Sequence, residues 1–364
     1  MGNLLASLDT VGSGSYAAED VQFLLRHVRM SVTDVEEKEH LIQTNQKHYS
    51  EMIGLEQPPT DVHKSLYARA LVQNGARMAS DVRSLAMALS AAYAGPDIAL
   101  VSFVRAGLPL GVLLRRALVE MGRDARHYGI SIIRDRGIDT VALEAIVRLH
   151  GAENIVFVDG WTGKGAISGE LERTLADDMR FPDVPRLVVL ADPCGRAWLA
   201  ASAEDWTIPS GILGATVSGL VSRSIWPAQG GLHGCLVYEH LREHDVTREF
   251  IDRIDAERRA LTAARPAVPW TDDQRMTLQA SADDVVSALA ARFDIGNLNR
   301  VKPGIAEATR AVLRRVPDRV LVRDHNDSDV QLLLHLTERA GVTIEEAGAD
   351  LGPYRAATII RNAN

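Results

Sequence analysis

Long apolar runs alternate with amphipathic stretches between residues 61 and 190 of this 364-residue chain. In Asp61–Ala94 the apolar side chains Leu66, Ala70, Leu71, Met78, Leu85 and Leu89 recur at helical spacing, which predicts one helix. Asp97–Val104 (DIALVSFV) then reads as a strand, Leu108–Met121 as a helix, His127–Ile133 as a strand and Thr140–Leu149 as a helix. A strand over Asn154–Val158, a helix from about Lys164 to Asp177 and a strand over Arg186–Leu190 continue the alternation. Strands that are apolar without a period of two bury both faces, so the pattern predicts a parallel sheet covered by helices on both sides. Such sheets bind ligands beyond the carboxyl ends of their strands. Chemistry is therefore expected in the loops after Val104, Ile133, Val158 and Leu190.

The flanks differ. Residues 1–58 are polar and read as a helical extension, with helices over Tyr16–Met30 and Asp34–Thr44. Residues 191–260 are irregular and dense in Trp, Ser and Gly. Ala263–Trp270 (AARPAVPW) holds two prolines and reads as a linker between a first domain, 59–262, and a second, 271–364. In the second, a helix over Asp283–Arg292, a strand over Asn299–Val301 and a helix over Ile305–Arg315 are followed by strand Arg319–Val322 and helix Val330–Ala340. Strands over Val342–Glu345 and near Ala356–Ile360 complete an α/β unit, so the whole chain is expected to be α/β.

Composition narrows the setting. A formal charge of −8 gives no global reason to expect nucleic acid, and two cysteines, Cys194 and Cys235, fit a reducing compartment better than a disulfide scaffold. The N-terminal MGNLLASLDT lacks the basic flank and apolar run of a signal peptide. No stretch reaches the roughly 20 apolar residues of a membrane span. A cytoplasmic protein with no membrane partner is expected.

One loop carries the clearest chemistry. Asn154–Asp159 ends a buried strand on a carboxylate, and Thr162-Gly163-Lys164-Gly165 opens the next helix. A glycine-rich turn lets successive N–H groups point into one concavity, and the helix N-terminus adds positive potential. Asp159, Gly160, Thr162, Gly163, Lys164, Gly165 and Ala166 are therefore candidate contacts for a phosphate-bearing ligand. A plain strand-to-helix turn is the bland alternative. Walker spacing fails, because Ala166-Ile167 stand where Lys-Ser/Thr is needed, and dinucleotide spacing fails by one residue. Ser102–Leu110 (SFVRAGLPL) and Arg134-Asp135-Arg136-Gly137 follow the two preceding strands, and Asp192-Pro193-Cys194-Gly195 follows the next.

The Asp159 segment resembles the ribose-phosphate signature of type I phosphoribosyltransferases, with Gly160 in place of a second carboxylate. Ser102–Leu110 looks like the pyrophosphate loop of that family. The resemblance implies a type I phosphoribosyltransferase-like core in which Arg105 binds pyrophosphate and Asp159 holds the ribose. Ser102, Val104, Ala106 and Gly107 would line the donor, and Arg134 and Arg136 would sit on a basic loop that closes over it. It further implies phosphoribosyl pyrophosphate as donor, magnesium held mainly through the donor's oxygens, and no dense protein metal site. Asp192, Asp205, Trp206, Ser222 and Arg223 would face an unidentified acceptor.

A wider resemblance rests on Tyr16-x-x-Glu19-Asp20-Val21, Ile42-Gln43, the box His48-Tyr49-Ser50-Glu51-Met52, Val217–Arg223, His233-Gly234 and a module from Lys302-Pro303-Gly304 to Pro353-Tyr354-Arg355. These look like a bacterial family of phosphoribosyltransferases fused to a pelota-type RNA-binding domain and associated with tellurite-resistance stress operons. The activity implied is transfer of ribosyl phosphate to give an N-ribosyl or nucleoside-like product. The same family carries the name StiP cysteine protease, a rival that requires a thiolate paired with a histidine. His233-Gly234-Cys235 sets the two types close together and Cys194 sits at a strand end, but a buried thiol is the plainer reading of both. A third reading is an RNA-binding adaptor without catalysis.

From Arg300 to Arg323, seven basic residues face two acidic ones inside an acidic protein, as a nucleic-acid footprint requires. Gly304–Arg310 (GIAEATR) resembles the helix start with which pelota domains and kink-turn-binding ribosomal proteins meet RNA, with Ala306 in place of an Asn. The resemblance implies a pelota-like α/β/α domain and a structured RNA partner. Lys302, Gly304, Glu307, Thr309 and Arg310 would be its RNA contacts. A homodimer stays open.

Overall fold

The computed structural model describes residues 9–362, so the N-terminal stretch 1–8 and residues 363–364 lie outside the described residues. The chain opens with β1 (Gln22–Phe23) and β2 (Arg26–His27) rather than the helix expected over 16–30. Tertiary pairing decides this: β1 adds in parallel to a sheet edge at Tyr128–Gly129, and Phe23, Leu24 and Leu25 are all fully buried. A helix would bury only one side of that run. Phe23 lies against Gly129, where a Cβ would stand 2.4 Å from the ring.

The helix expected next is present as α1 (Val35–Gln43), started by the Asp34 side chain accepting from the Glu36 amide at 2.8 Å. α2 (Asp61–Ala92) buries Met78, Val82, Leu85 and Leu89 on one face. The alternation then runs β3 (Asp97–Phe103), α3 (Leu108–Glu120), β4 (Asp124–Ile130), a small ribbon of β5 (Ile132–Ile133) and β6 (Gly137–Ile138), and α4 (Thr140–His150). It continues through β7 (Ile155–Val158), α5 (Ala166–Leu175), β8 (Leu187–Ala191) and β9 (Leu199–Ser202). The sheet order is β1-β4-β3-β7-β8-β9, with every pair parallel.

Both faces are covered, as the unbroken apolar runs require. Ile98 and Leu100 of β3 pack in one cluster with residues of α2 and α3, while Ala99, Val101 and Phe103 pack in a second with residues of α4 and α5. After β10 (Gly234–Cys235), α6 (Thr247–Ala260) joins the first cluster through Phe250, Ile251 and Ile254.

The second unit starts with α7 (Asp272–Arg292), eleven residues before the expected start, through a capping box between Thr271 and Gln274. Its first half buries little; Ala282 is the first fully buried residue. β11 (Val301–Pro303), α8 (Ile305–Arg314), β12 (Pro317–Val322), α9 (Gln331–Arg339), β13 (Thr343–Glu346) and β14 (Ala356–Ile360) follow, with sheet order β11-β14-β12-β13. The unit closes over the carboxyl ends of the first sheet: Cys194, in the loop after β8, shares an apolar cluster with Val285, Leu289 and Tyr354. Among the described residues no helix is long and apolar enough to cross a membrane.

Candidate functional site

Three strand-end loops of the first sheet meet β11 and α8 across a cleft of about 320 Å³. Its first wall holds Val104, Ala106, Ile132, Ile133 and Arg134, and its floor runs from Asp159 through Trp161–Ile167. Lys302, Pro303, Glu307, Arg310, Arg314 and Arg315 face them from the second unit. The loop after β7 can approach the loop after β3 because Gly107 has no side chain; a Cβ there would lie 2.1 Å from the Val158 carbonyl. Gly160 is similarly pressed; a Cβ there would lie 2.9 Å from the Ala106 carbonyl. Gly165, at φ +81°, turns the chain into α5.

Charge dominates the walls. Burial raises the Asp159 carboxyl to about 7, against the pull of the Gly160 amide, which donates to it at 2.8 Å, and of Arg310. Burial lowers Lys302 to about 7 and Lys164 to about 8, with Arg134 adding to both effects. Arg310 stacks 4.6 Å from the centre of the Trp161 ring and lies 3.7 Å from Glu307. Glu307 accepts from the Trp161 indole at 3.4 Å. Lys164 donates to the Leu298 carbonyl, which ties the floor loop to the second unit.

Several expected residues lie elsewhere. The Arg105 guanidinium turns out of the cleft to pair with Glu56 at 2.6 Å and to donate to the Val221 carbonyl at 2.9 Å. Burial opposes ionisation of Glu56, yet Arg105 and Arg314 draw its carboxyl down to about 2. Arg136 pairs with Glu51 and stacks on Trp226. Ser102 is wholly buried, bonded to His127 at 2.7 Å and to the Gly107 carbonyl at 3.0 Å. Asp192 is a buried fastener that accepts from Thr162 (2.6 Å), the Ala197 amide (3.0 Å) and the Trp270 indole (2.8 Å).

Asp205 does not face an acceptor either. It accepts from the Ile305 amide at 3.0 Å and the Arg355 amide at 2.8 Å, so it caps α8 from the first unit; burial raises it to about 6. Trp206 is buried beneath the Arg77 guanidinium, 4.5 Å from its ring. Ser222 joins two backbone groups, at Arg223 and Leu236. Thr309 bonds back to the Ile305 carbonyl within α8, and the Gly304 amide donates to Ala356. Lys302, Glu307 and Arg310 therefore face the cleft rather than open solvent.

The cleft also gathers residues that spacing alone missed. Lys38 and Ile42 come from α1, and Tyr49 comes from the His48–Met52 box. Tyr49 accepts from the Arg134 amide at 2.8 Å and lies under both Arg134 and Arg223, 5.5 and 5.3 Å from the ring centre. Arg223 donates to the Tyr49 carbonyl at 2.7 Å. The box thus pins the Arg134 loop and the Arg223 segment to the cleft. Its unusual run of His, Tyr, Ser and Glu was the available signal.

Both thiols are buried. Cys194 lies beside Thr162, with its sulfur 3.9 Å from an Asp192 oxygen; burial and the Asp192 charge push its pKa up. Burial pushes Cys235 to about 12. The imidazole of His233, two residues before Cys235, bonds to Ser131 at 2.6 Å.

A family model described as tellurite-like stress resistance cysteine protease StiP matches residues 14–255, and a PELOTA RNA binding domain model matches residues 280–362. A protein named cysteine protease StiP, from Acinetobacter baylyi (strain ATCC 33305 / BD413 / ADP1), is 51% identical over 362 residues, covering 96% of this chain and 94% of the relative. No solved structure matches. These names overturn the expected phosphoribosyltransferase, because family and relative are both named for proteolysis. The geometry agrees with that correction where the arginine expected to hold pyrophosphate is spent on Glu56. The name first weighed as a rival is the one supported, and the chain belongs to the StiP family of tellurite-like stress resistance cysteine proteases.

Proposed function

We propose that the chain acts as a cysteine protease in tellurite-like stress resistance and binds RNA through its C-terminal unit. The relationship carries this reading: 51% identity across nearly the whole of both chains to a protein named for that activity. Of the two thiols, Cys194 is the better placed. It lies at the carboxyl end of β8, where parallel sheets present their chemistry, and directly beside Thr162 of the cleft floor. Cys235 sits in the main apolar core.

Attack on a peptide carbonyl needs the thiolate; the amine then leaves with a proton and water hydrolyses the thioester. Burial keeps Cys194 protonated in this arrangement, and no histidine bonds to either thiol among the described residues. Activity therefore requires α7 and Tyr354, which cover Cys194, to move away and let substrate and water in. Casein hydrolysis by wild type, Cys194→Ala and Cys235→Ala tests this. Loss of at least about 100-fold in Cys194→Ala, with Cys235→Ala near wild type, is expected. Absence of hydrolysis by the wild type, or hydrolysis that survives both substitutions, contradicts it.

One observation favours a second reading, an RNA-binding protein without proteolysis: among the described residues, neither buried thiol has a histidine partner. That reading predicts RNA binding by a protein that cleaves nothing.

A further inference from the structure

The cleft wall holds cations without counter-ions. Lys38, Lys164, Arg223 and Lys302 line it, and none forms a salt bridge among the described residues. Lys38 reaches only a backbone carbonyl, that of Arg314 at 3.3 Å. One terminal nitrogen of Arg223, Nη1, is buried without an acceptor. Lys302, half-buried, makes no hydrogen bond through its ammonium among the described residues and sits in the field of Arg134, Lys164 and Arg315. Partly buried charges of one sign repel each other and lose hydration, so the arrangement is costly until an anion enters. Against these cations the lining offers two carboxyls, Asp159 and Glu307, and Glu307 is already engaged by Arg310.

Size and polarity narrow the anion. A volume of about 320 Å³ is at the small end for ligand pockets and excludes a double helix. Between the charges, Val104, Ile132 and Ile133 give the first wall apolar surface that suits a flat, weakly polar group, and Pro303 and Ala311 add more from the second unit. The two basic residues of the PELOTA match expected to meet RNA, Lys302 and Arg310, open into this cleft. RNA that reaches them must therefore send in an unpaired nucleotide, and the charge of a terminal phosphate singles out a strand end. A terminal phosphate carries close to two charges at neutral pH, whereas a phosphodiester within the strand carries one.

We propose that the cleft seats the phosphorylated terminus of a single-stranded RNA, its phosphate among Lys302, Lys164, Arg134 and Arg223 and its nucleoside against the apolar surface. The inference rests on the RNA-binding reading of the C-terminal unit and not on proteolysis. A free nucleoside monophosphate offers the same chemistry, so the test separates the two sources.

Full-length protein is titrated by fluorescence anisotropy with a labelled ten-nucleotide RNA bearing a 5′-phosphate, a 3′-phosphate or hydroxyl ends, and by calorimetry with adenosine monophosphate. At least one phosphorylated strand is expected to bind about tenfold or more tightly than the hydroxyl-ended strand. That preference should disappear in Lys302→Met, a near-isosteric change whose folding is checked by thermal melting. If Lys302→Met fails to fold, Lys164→Met on the cleft floor provides the same readout. Binding of the monophosphate alone, lost in the same variants, assigns the site to a free nucleotide. Equal affinity for all strands with no monophosphate binding overturns the proposal while leaving RNA binding by the second unit intact. A phosphate preference that survives the substitutions also overturns it.

Discussion

Gly107 sits where two loops nearly touch, and a methyl group there would meet the Val158 carbonyl at 2.1 Å. Backbone must shift to admit it, so Gly107→Ala is expected to destabilise by roughly 1–3 kcal/mol, read from urea unfolding; an unchanged midpoint would contradict the close approach. Lys302, Lys164 and Asp159 set the pH behaviour of the cleft. Burial lowers the two lysines to about 7 and about 8 and raises Asp159 to about 7; Arg134, Arg310, Arg315 and Glu307 act on them, and Lys38, Arg223 and Arg314 line the same cleft. A bound anion raises all three values, so binding takes up protons. Affinity for sulfate, a dianion throughout this range, should then rise as pH falls from roughly 9 and level off below about 7. Calorimetry with sulfate at several pH values reads this directly. An affinity that falls over that range would contradict the charge arrangement. The glycine-rich loop and its Asp159 were legible in sequence because neighbouring residues make them. Lys38 and Tyr49 were not, because only the fold brings them to the loop.

The same difference separates the elements. The alternating strands and helices from 61 to 190 follow from apolar periodicity, and the structure places them within a few residues of expectation. α6 escaped because its sequence is mostly charged: it buries Phe250, Ile251 and Ile254, while Arg258 pairs with Asp255 and Glu120. β1 escaped because a two-residue edge strand leaves no periodic trace. α8 was legible, but its N-terminal partner was not. The first amide of α8 donates to Asp205, a hundred residues earlier in the chain, and so joins the two units. Asp205→Ala leaves that amide and the Arg355 amide without an acceptor, and should cost about 1–3 kcal/mol. Hydrogen exchange should rise first around Gly304–Ile305 and Arg355. Unchanged exchange there would show that Asp205 holds nothing together.

At the scale of the whole molecule, a chain with net charge −8 concentrates basic groups in one interior cleft, where overall composition conceals them. The second unit supplies one wall of that cleft and also covers Cys194. Opening of the two units would therefore expose the thiol and the cleft together. The phosphoribosyltransferase expectation failed at this scale. The loops arrived in the expected order, but order along a sheet does not fix where Arg105 points, and Glu56 from the N-terminal extension claims it. The most direct measurement is covalent trapping of full-length protein with a peptidyl epoxide, followed by peptide mass mapping. A single adduct on Cys194, formed faster in Asp205→Ala than in wild type, is the predicted result; no adduct, or one confined to Cys235, would contradict it.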